Sequence, residues 1–433
     1  MLSTYPGLVF GYNTGVIAGV LNLNEWKSMN EIDRGTLTCS ILLGAMIGSL
    51  MGGFVTERLG RKPPLFVVGL LTTAGAIASA LVPAELWYVS ACRFVLGLGV
   101  GASAIICPLY VGEMADPTRK GRLGTIFQIA ITIGIFVSDC VGFGFIDVKY
   151  NYRWMFAFGA LPESHVWQDK KAAQKNTLLL LNVREQEQEQ QSNIELSKLN
   201  DNNNNNKQLI YNKLQKDTGG SAGIRALLSK SAGRFALFMG AILAVNNQLT
   251  GINAFMYFSP SIFEQAGIKN GDGPMIATIC LVGWNAITTL ISTFLIDKIG
   301  RRKLMIYSSI IMTLACLILA ILFLTVDGTV LGVTSIILLF IFIAGFEAGA
   351  GPLFWIMAIE IFPPECKDIG SSLLNALQWI FNIALSFSFL TLVTLIGQSA
   401  IFWIFGGCGV VCLIFMVMYL PETKQVQDYQ PII

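Results

Sequence analysis

The sequence predicts an all-α protein that crosses a membrane many times and consists of two related halves. Three observations predict this fold. Of the 433 residues, 54% are hydrophobic and only 13% are charged, whereas a soluble domain carries roughly 25% charged residues. About eleven apolar runs are long enough for a helix that crosses a bilayer core, which takes about 20 residues. Short basic sequences also recur at matching places on both sides of a polar stretch.

The first apolar run, residues 2–21, lacks the basic start and the small-residue cleavage pattern of a signal peptide, so we predict a retained but short first span. The other ten predicted spans lie at residues 35–56, 64–83, 87–110, 123–146, 235–258, 275–296, 304–326, 331–359, 371–396 and 400–420. Gly44, Gly48 and Gly52 follow one another at four-residue spacing, which favours close helix packing in lipid.

The stretch between the two groups of spans is rich in Lys, Gln, Glu and Asn and includes five consecutive asparagines at 202–206. Such a composition buries too little apolar surface to fold, so we predict a cytoplasmic linker that is only partly helical. The predicted organisation is an N-terminal transmembrane half (1–161), the linker (162–231), a C-terminal transmembrane half (232–420) and a short cytoplasmic tail (421–433).

Charged sequences are repeated between the halves. TERLGRK at 56–62 follows the second span, and IDKIGRRK at 296–303 follows the second span after the linker. Glu113 stands seven residues before Lys120, as Glu360 does before Lys367. Two related halves of about six spans are typical of transporters built from parallel repeats.

The number of crossings between the basic loops is odd where it should be even. Lys and Arg in short loops mark the cytoplasmic side, but only five apolar runs separate the two loops. The missing crossing should follow Ile146, where the only apolar stretch, 154–161, would reach about 12 Å as a helix. We therefore predict a truncated sixth span. Either the sequence lacks a segment, or a true deletion leaves a stub that re-enters against neighbouring helices.

The composition also excludes several functions. A net charge of +2 and a single histidine, His165, provide neither a basic surface for nucleic acid nor a histidine-based metal or catalytic cluster. The nine cysteines lie mostly inside apolar runs, where a thiol behaves as a small hydrophobe. We expect no enzyme activity, no cofactor and no disulfide framework.

Several motifs, in order along the chain, resemble those of the sugar porter family of the major facilitator superfamily, especially its facilitative glucose/hexose branch. They are FGYNTGV at 10–16, RFVLG at 93–97, YVGE at 110–113, QLTGIN at 248–253, GAGP at 349–352 and PETK at 421–424. The resemblance covers nearly all of the chain outside the linker. It implies the major facilitator fold, a multi-pass location in the plasma membrane, and a sugar and the lipid bilayer as partners.

The sequence departs from the family pattern at two places. PES at 162–164 keeps the start of the family's Pro-Glu-Ser-Pro-Arg signature but continues with His165 and Val166 directly after the stub, which puts the gap just before Leu161. Lys120 and Lys367 stand where the family has loop arginines. An ammonium group makes single rather than bidentate contacts with a carboxylate, so we expect weaker ion pairs there.

A sugar path needs partners for the sugar hydroxyls, because each unpaired buried polar group costs roughly 1–3 kcal/mol. Side-chain amides donate and accept hydrogen bonds without burying a charge. The resemblance implies sugar-contacting or gate-lining roles for Gln128, Asn247, Gln248, Asn253, Asn285, Trp355, Gln378, Trp379 and Asn382. The alternative for each is a structural role, as an interhelical hydrogen bond or an interfacial anchor.

The resemblance also implies a second set of residues, with roles in gating and conformational switching. Tyr257 and Phe258 follow the motif of span seven and are expected in the outer gate. Charged groups in and beside the spans are expected to pair in one conformational state only. They are Arg58, Arg61, Arg93, Glu113, Lys120, Arg301, Arg302, Glu347, Glu360, Lys367 and Glu422.

Asn13 determines the expected energy coupling. In proton-coupled sugar porters, an aspartate of span one works with an arginine at the position of Arg93, and here that position is Asn13, which cannot bind and release a proton. We therefore expect uniport of a monosaccharide, by default a hexose. The alternatives are a proton-coupled symporter, a transporter-like sugar receptor and a non-functional truncated product.

Overall fold

The helices of the N-terminal half begin close to the first residue. A computed structural model describes residues 4–27, 29–60, 62–114, 120–160, 220–265, 273–326 and 328–423. The N-terminal half consists of α1 (Thr4–Val20), α2 (Asn24–Lys27), α3 (Glu31–Leu59), α4 (Lys62–Leu81), α5 (Leu86–Met114), α6 (Lys120–Gly144) and α7 (Asn151–Phe158). The predicted linker lies largely outside the described residues.

The described part of the C-terminal half is also mostly helical. It consists of α8 (Gly220–Ser229), α9 (Ser231–Gln248), α10 (Ile252–Gln265), α11 (Gly273–Ile299), α12 (Arg301–Thr325), α13 (Gly328–Gly345), a π-helix (Phe346–Ala350), α14 (Gly351–Glu360), a short 3-10 turn (Pro364–Cys366) and α15 (Lys367–Tyr419). In lipid every backbone polar group must be paired inside the protein, and helices meet that condition within each segment.

The described helices account for the eleven predicted crossings. Nine are long and apolar enough to span a membrane. The longest of these, α15, has 53 residues and changes direction at Gly397, where φ is 82° and ψ is 160°, so it crosses twice. The eleventh crossing is α1, which at 17 residues is the shortest, as predicted. The chain is therefore a multi-pass integral membrane protein of the predicted all-α class.

The two basic repeats end their helices in the same way. The helix α3 ends at Leu59 and α11 ends at Ile299, and each is followed by a glycine in the left-handed region, Gly60 with φ 76° and Gly300 with φ 96°. Glycine adopts this conformation without the steric cost that a β-carbon imposes. The glycine of the repeated sequence thus ends its helix with a positive φ in both halves.

Glycines hold α1 tightly against α6. Gly7, Gly11, Gly15 and Gly19 lie at four-residue spacing on one face of α1, which is the small-residue pattern of close helix pairs in membranes. A β-carbon on Gly11 would lie 1.9 Å from the carbonyl oxygen of Ile131 on α6. The backbones therefore approach to a distance that only glycine permits.

The two halves meet most extensively along two helix pairs, α3 with α15 and α6 with α11. Near one end of the first pair, Cys39 Sγ donates to the carbonyl oxygen of Ile383 at 3.5 Å. In the second pair, Thr125 Oγ1 donates to Thr293 Oγ1 at 3.1 Å. These contacts bring the inner surfaces of both halves around a common centre.

Span six is represented in the described residues by α7, which has only eight residues. Its backbone accepts hydrogen bonds from α1: Tyr12 Oη donates to the carbonyl oxygen of Met155 at 2.7 Å, and Asn13 Nδ2 donates to that of Gly159 at 3.3 Å. Tyr152 Oη donates to the carbonyl oxygen of Val82, just beyond α4, at 3.2 Å. The predicted stub is therefore packed inside the N-terminal half.

Candidate functional site

A cavity lies between the two halves, and we call it the central cavity. About 680 Å³ of space, part of it open to solvent, lies between its lining atoms. Its lining comes from α1, α6, α9, α10, α11, the π-helix, α14 and α15, and includes all nine predicted contact residues: Gln128, Asn247, Gln248, Asn253, Asn285, Trp355, Gln378, Trp379 and Asn382. That they contact a sugar stays a prediction.

Gln128 connects the two halves at the cavity wall. From α6, its Nε2 donates to both carboxylate oxygens of Glu347 at 3.1 and 3.3 Å. Its Oε1 accepts a hydrogen bond from Trp355 Nε1 at 2.8 Å. Because Glu347 and Trp355 belong to the C-terminal half, this one amide joins both halves. Glu347, expected in the conformational switch, thus lines the cavity itself.

Asn247 is the centre of a second network. Its Oδ1 accepts from Gln248 Nε2 at 2.8 Å and from Gln378 Nε2 at 3.1 Å. Its Nδ2 donates to the carbonyl oxygen of Ala350 at 3.0 Å, at the end of the π-helix, where insertion of a residue disturbs the regular α-helical bonding. Asn253 Nδ2 donates to Gln248 Oε1. The amides of spans seven, ten and eleven are thereby held in one arrangement.

Several polar atoms of the lining have no hydrogen-bond partner among the described residues. They are Gln378 Oε1, Asn285 Oδ1 and Trp379 Nε1. Two are acceptors and one is a donor, and each is buried. A polyol hydroxyl donates one hydrogen bond and accepts others, so its chemistry matches this set, whereas an apolar ligand would leave all three unpaired at roughly 1–3 kcal/mol each.

Aromatic rings also line the cavity. Phe10 of α1 packs against Trp379 with ring centroids 5.6 Å apart, and against Trp355 at 6.2 Å in an edge-to-face geometry. Phe127, behind the lining, meets Trp355 at 5.3 Å. A lining that combines amides with aromatic faces suits a ligand with a ring of hydroxyls and an apolar C–H face.

Packed side chains flank the cavity on two sides. Tyr257 lines the cavity and its side chain hydrogen-bonds Asn382, and Phe258, behind the lining, stacks on Phe389 with ring centroids 5.4 Å apart. Ile105, Leu109 and Ile359 form a separate buried cluster between α5 and α14. The first contacts lie within the C-terminal half, and the cluster joins the two halves. That Tyr257 and Phe258 form an outer gate stays a prediction.

A charged cluster lies where the start of α12 meets the end of α14 and the residues after α15. Arg301 Nε lies 3.6 Å from Glu360 Oε2, which also accepts from Thr423 Oγ1 at 2.6 Å. Glu422 accepts from the backbone N–H groups of Arg301 and Arg302 at 2.9 and 3.2 Å, capping α12. Lys367 is the first residue of α15. The side chains of Arg58, Glu113 and Lys120, and residue Arg61, lie outside the described part of the chain.

Arg93 is buried in the N-terminal half, away from the cavity lining. Its Nη2 donates to the carbonyl oxygen of Asn13 at 3.3 Å, and its guanidinium lies 5.6 Å from the ring centre of Phe156. Among the described residues it forms no ion pair. Asn13 donates from Nδ2 to the carbonyl oxygens of Val9 and Gly159, so the side chains of Asn13 and Arg93 do not bond to each other.

Sequence reasoning missed four residues near the path. Phe10, Thr14 and Thr132 line the cavity. Phe10 and Thr14 belong to the recognised span-one motif, and Thr132 follows Gln128 by one helical turn, so spacing carries the signal for all three. Asp139 is a buried carboxyl on α6, and an acidic residue within an apolar run is itself a functional signal.

Comparisons with known proteins agree with this architecture. The profile of the family described as "Sugar (and other) transporter" matches residues 2–429. The chain is 30% identical to the galactose-proton symporter of Escherichia coli strain K12, covering 98% of this chain and 91% of that protein. It is 29% identical to the glucose transporter GlcP of Staphylococcus epidermidis, covering 98% and 94%. The fold matches the proton:xylose symporter XylE with a TM-score of 0.75 and 24% identity, covering 98% and 95% of the two chains.

Proposed function

The chain belongs to the sugar transporter family of the major facilitator superfamily, and on that premise we propose that it carries a monosaccharide across the membrane by alternating access. The observation that carries the proposal is the central cavity. It lies between the halves and holds unpaired donors and acceptors. Rocking of the halves would open one end at a time.

A hexose is the proposed substrate. A glucose transporter and a galactose-proton symporter are among the similar proteins. The mixed wall of amides and aromatic rings supports a pyranose, whose hydroxyls lie around the ring edge while its axial C–H groups form an apolar face. Gln378, Trp379 and Asn285 would pair with hydroxyls, and Trp355 would pack against the apolar face.

We propose uniport because Asn13 is a neutral amide. It sits beside Arg93, and it neither carries a proton nor forms an ion pair whose making and breaking would drive the cycle. The path then dissipates the sugar gradient in either direction. The rival function is proton-coupled symport, which the names of two similar proteins favour, the galactose-proton symporter and the proton:xylose symporter XylE.

The short α7 is compatible with this function. None of its residues lines the central cavity, since the N-terminal contribution comes from α1 and α6 alone. Its backbone is bonded to Tyr12 and Asn13, which supports a stub that re-enters against neighbouring helices. Sequencing the transcript across Ala160 to Glu163 distinguishes this from a lost segment.

Uptake by purified protein in proteoliposomes tests the coupling. We expect labelled hexose to enter down its gradient at the same rate with and without a protonophore, and with no change of internal pH, because no proton moves with the sugar. Protein-free liposomes give the leak. Acidification of the lumen in step with sugar uptake, or an uptake that stops when the protonophore is added, would contradict uniport.

A further inference from the structure

We propose that Asp139 is a proton-binding site in the outer part of the sugar path, and that it takes up a proton from outside when the outer end closes and returns it when that end opens. The site makes the outer gate sensitive to external pH. It rests on the proposed sugar path, but not on which sugar the path carries.

Asp139 lies on the cavity-lining face of α6. Gln128, Thr132 and Ile135 line the central cavity, and Asp139 follows Ile135 by four residues and Gln128 by eleven. Eleven residues make about three turns of an α-helix, which returns the side chain to the same face about 16 Å further along. The helix begins at the cytoplasmic end with Lys120 and ends at Gly144. Asp139 therefore lies on the outer side of the cavity.

The carboxyl group of Asp139 is buried with neither a hydrogen-bond partner nor a counter-charge among the described residues. The residue is 1% exposed, and neither Oδ1 nor Oδ2 has a hydrogen-bond partner among the described residues. No described cation lies within ion-pair distance of it, and Arg93 bonds to Asn13 instead. An isolated carboxylate in such a place is so costly that the group takes up a proton rather than remain charged.

The neighbouring titratable groups do not supply the missing charge. Among the described side chains on the elements packed against α6 and on α6 itself, they are Tyr5, Tyr12, Tyr88, Cys92, Arg93, Cys107, Tyr110, Tyr152, Arg153, Cys280, Lys298, Glu347, Glu360, Arg122 and Cys140. Electrostatic interaction with Asp139 is found for Tyr12 and Cys140, which are neutral at physiological pH. Arg153 donates a hydrogen bond to Tyr152 Oη at 3.0 Å.

A residue of the opposite half packs one turn beyond this position. One turn beyond Asp139, Gly142 of α6 faces Gly19 of α1, and β-carbons on these glycines would lie 3.6 and 3.9 Å from the methyl group of Met275. Met275 belongs to α11, so separating the halves at the outer end would withdraw it and admit water. An aspartate in contact with water is ionised at neutral pH.

The closed outer end therefore binds one more proton than the open one. By linkage, each unit of external pH multiplies the open-to-closed ratio by up to about tenfold, in favour of the open end as pH rises. When the inner end opens, the contacts around Met275 remain and Asp139 has no path to the cytoplasm. The proton returns to the side from which it came, so uniport is preserved.

The test measures how accessible the cavity is from outside. Ile135→Cys places a thiol in the lining, and a membrane-impermeant thiol reagent is added outside at about pH 5.5 and about pH 7.5, alone and with Asp139→Asn. The amide has the size of the protonated acid but never ionises. Because the water-exposed aspartate is ionised at both pH values, we expect more labelling of the single variant than of the double variant at both, and a ratio between them that rises about threefold or more from the lower to the higher pH.

Two controls complete the design. The double variant shows the intrinsic effect of pH on thiol reactivity, and the parent chain shows labelling of the nine native cysteines. Equal labelling of the single and double variants at both pH values would overturn the proposal. So would sugar-driven proton uptake that Asp139→Asn abolishes, because the proton would then cross the membrane.

Infrared difference spectroscopy separates this proposal from the proposed function. At neutral pH the parent chain should show the C=O band of a protonated carboxylic acid that is missing from Asp139→Asn, whether or not any sugar is carried. Absence of that band in folded protein would overturn the protonated site. A chain that carries no sugar but shows the band and the pH-dependent labelling would overturn the function alone.

Discussion

The Gly11→Val variant is expected to give no sugar uptake, because it should not reach a folded state in the membrane. A β-carbon at Gly11 would lie 1.9 Å from the carbonyl oxygen of Ile131, far inside any permitted contact. The contact atom is backbone, so α1 and α6 would have to separate along their length. We expect a loss of more than about 3 kcal/mol of stability. Thermal unfolding of purified protein and tracer uptake measure the effect.

Gly407 provides the matched control. It lies in the second crossing of α15, where a β-carbon would meet no atom within 4 Å, so Gly407→Val adds the same side chain at an open helical position. This variant should fold and transport like the parent chain. If Gly11→Val melts at the same temperature as Gly407→Val, α1 and α6 are not packed as closely as described.

Gln128→Ala is expected to lower sugar uptake roughly 10- to 100-fold at an unchanged amount of protein in the membrane. The change removes the donor that bonds both oxygens of Glu347 and the acceptor for Trp355 Nε1. A hydrogen bond to a charged group is worth about 1.5–3 kcal/mol, and each 1.4 kcal/mol is about tenfold in affinity or rate. Initial rates of tracer uptake over a range of sugar concentrations measure the loss.

Gln398→Ala is the control for this substitution. Gln398 lies near the break between the two crossings of α15 and does not line the central cavity. The same change there should leave uptake within about twofold of the parent, as surface-type substitutions usually do. Equal loss in both variants would show that the amide of Gln128 has no special part in the path.

The fold could be predicted from the sequence because its main determinants are local. Eleven crossings follow from the length of apolar runs, and the two halves follow from the repeated Gly-Arg turns at Gly60 and Gly300. The break at Gly397 was also implied, since an apolar run of that length cannot cross a bilayer only once. The short α7 was predicted from the parity of charged loops, and its bonds to Tyr12 and Asn13 were not.

The residues that line the cavity could be predicted only from the family motifs. The nine residues chosen by resemblance all line it, yet the pairing within the lining depends on distances between helices far apart in sequence, such as Gln128 and Glu347, which are 219 residues apart. Asn247 hydrogen-bonds Gln248, Gln378 and Ala350 within the protein. The amino-acid composition does not indicate these bonds.

Asp139 shows a different limit of prediction from the sequence. An acidic residue in an apolar run can be seen in the sequence, but whether it has a partner cannot. The decisive facts are the unpaired carboxyl oxygens and the packing of the Met275 methyl group beside Gly142 and Gly19, one turn further along α6, which depend on how α1, α6 and α11 meet. The sequence shows only that the residue is present, and the structure is needed to judge its environment.

Counterflow in proteoliposomes tests the central claim most directly, namely that this chain, with its short α7, forms a complete alternating-access path for a monosaccharide. Liposomes loaded with unlabelled hexose are diluted into a trace of labelled hexose. We predict a transient accumulation of label above the outside concentration that Gln128→Ala reduces, because exchange requires only that the loaded cavity open to each side in turn. Folded, reconstituted protein that gives no more label than protein-free liposomes, with every hexose tried, would contradict the account.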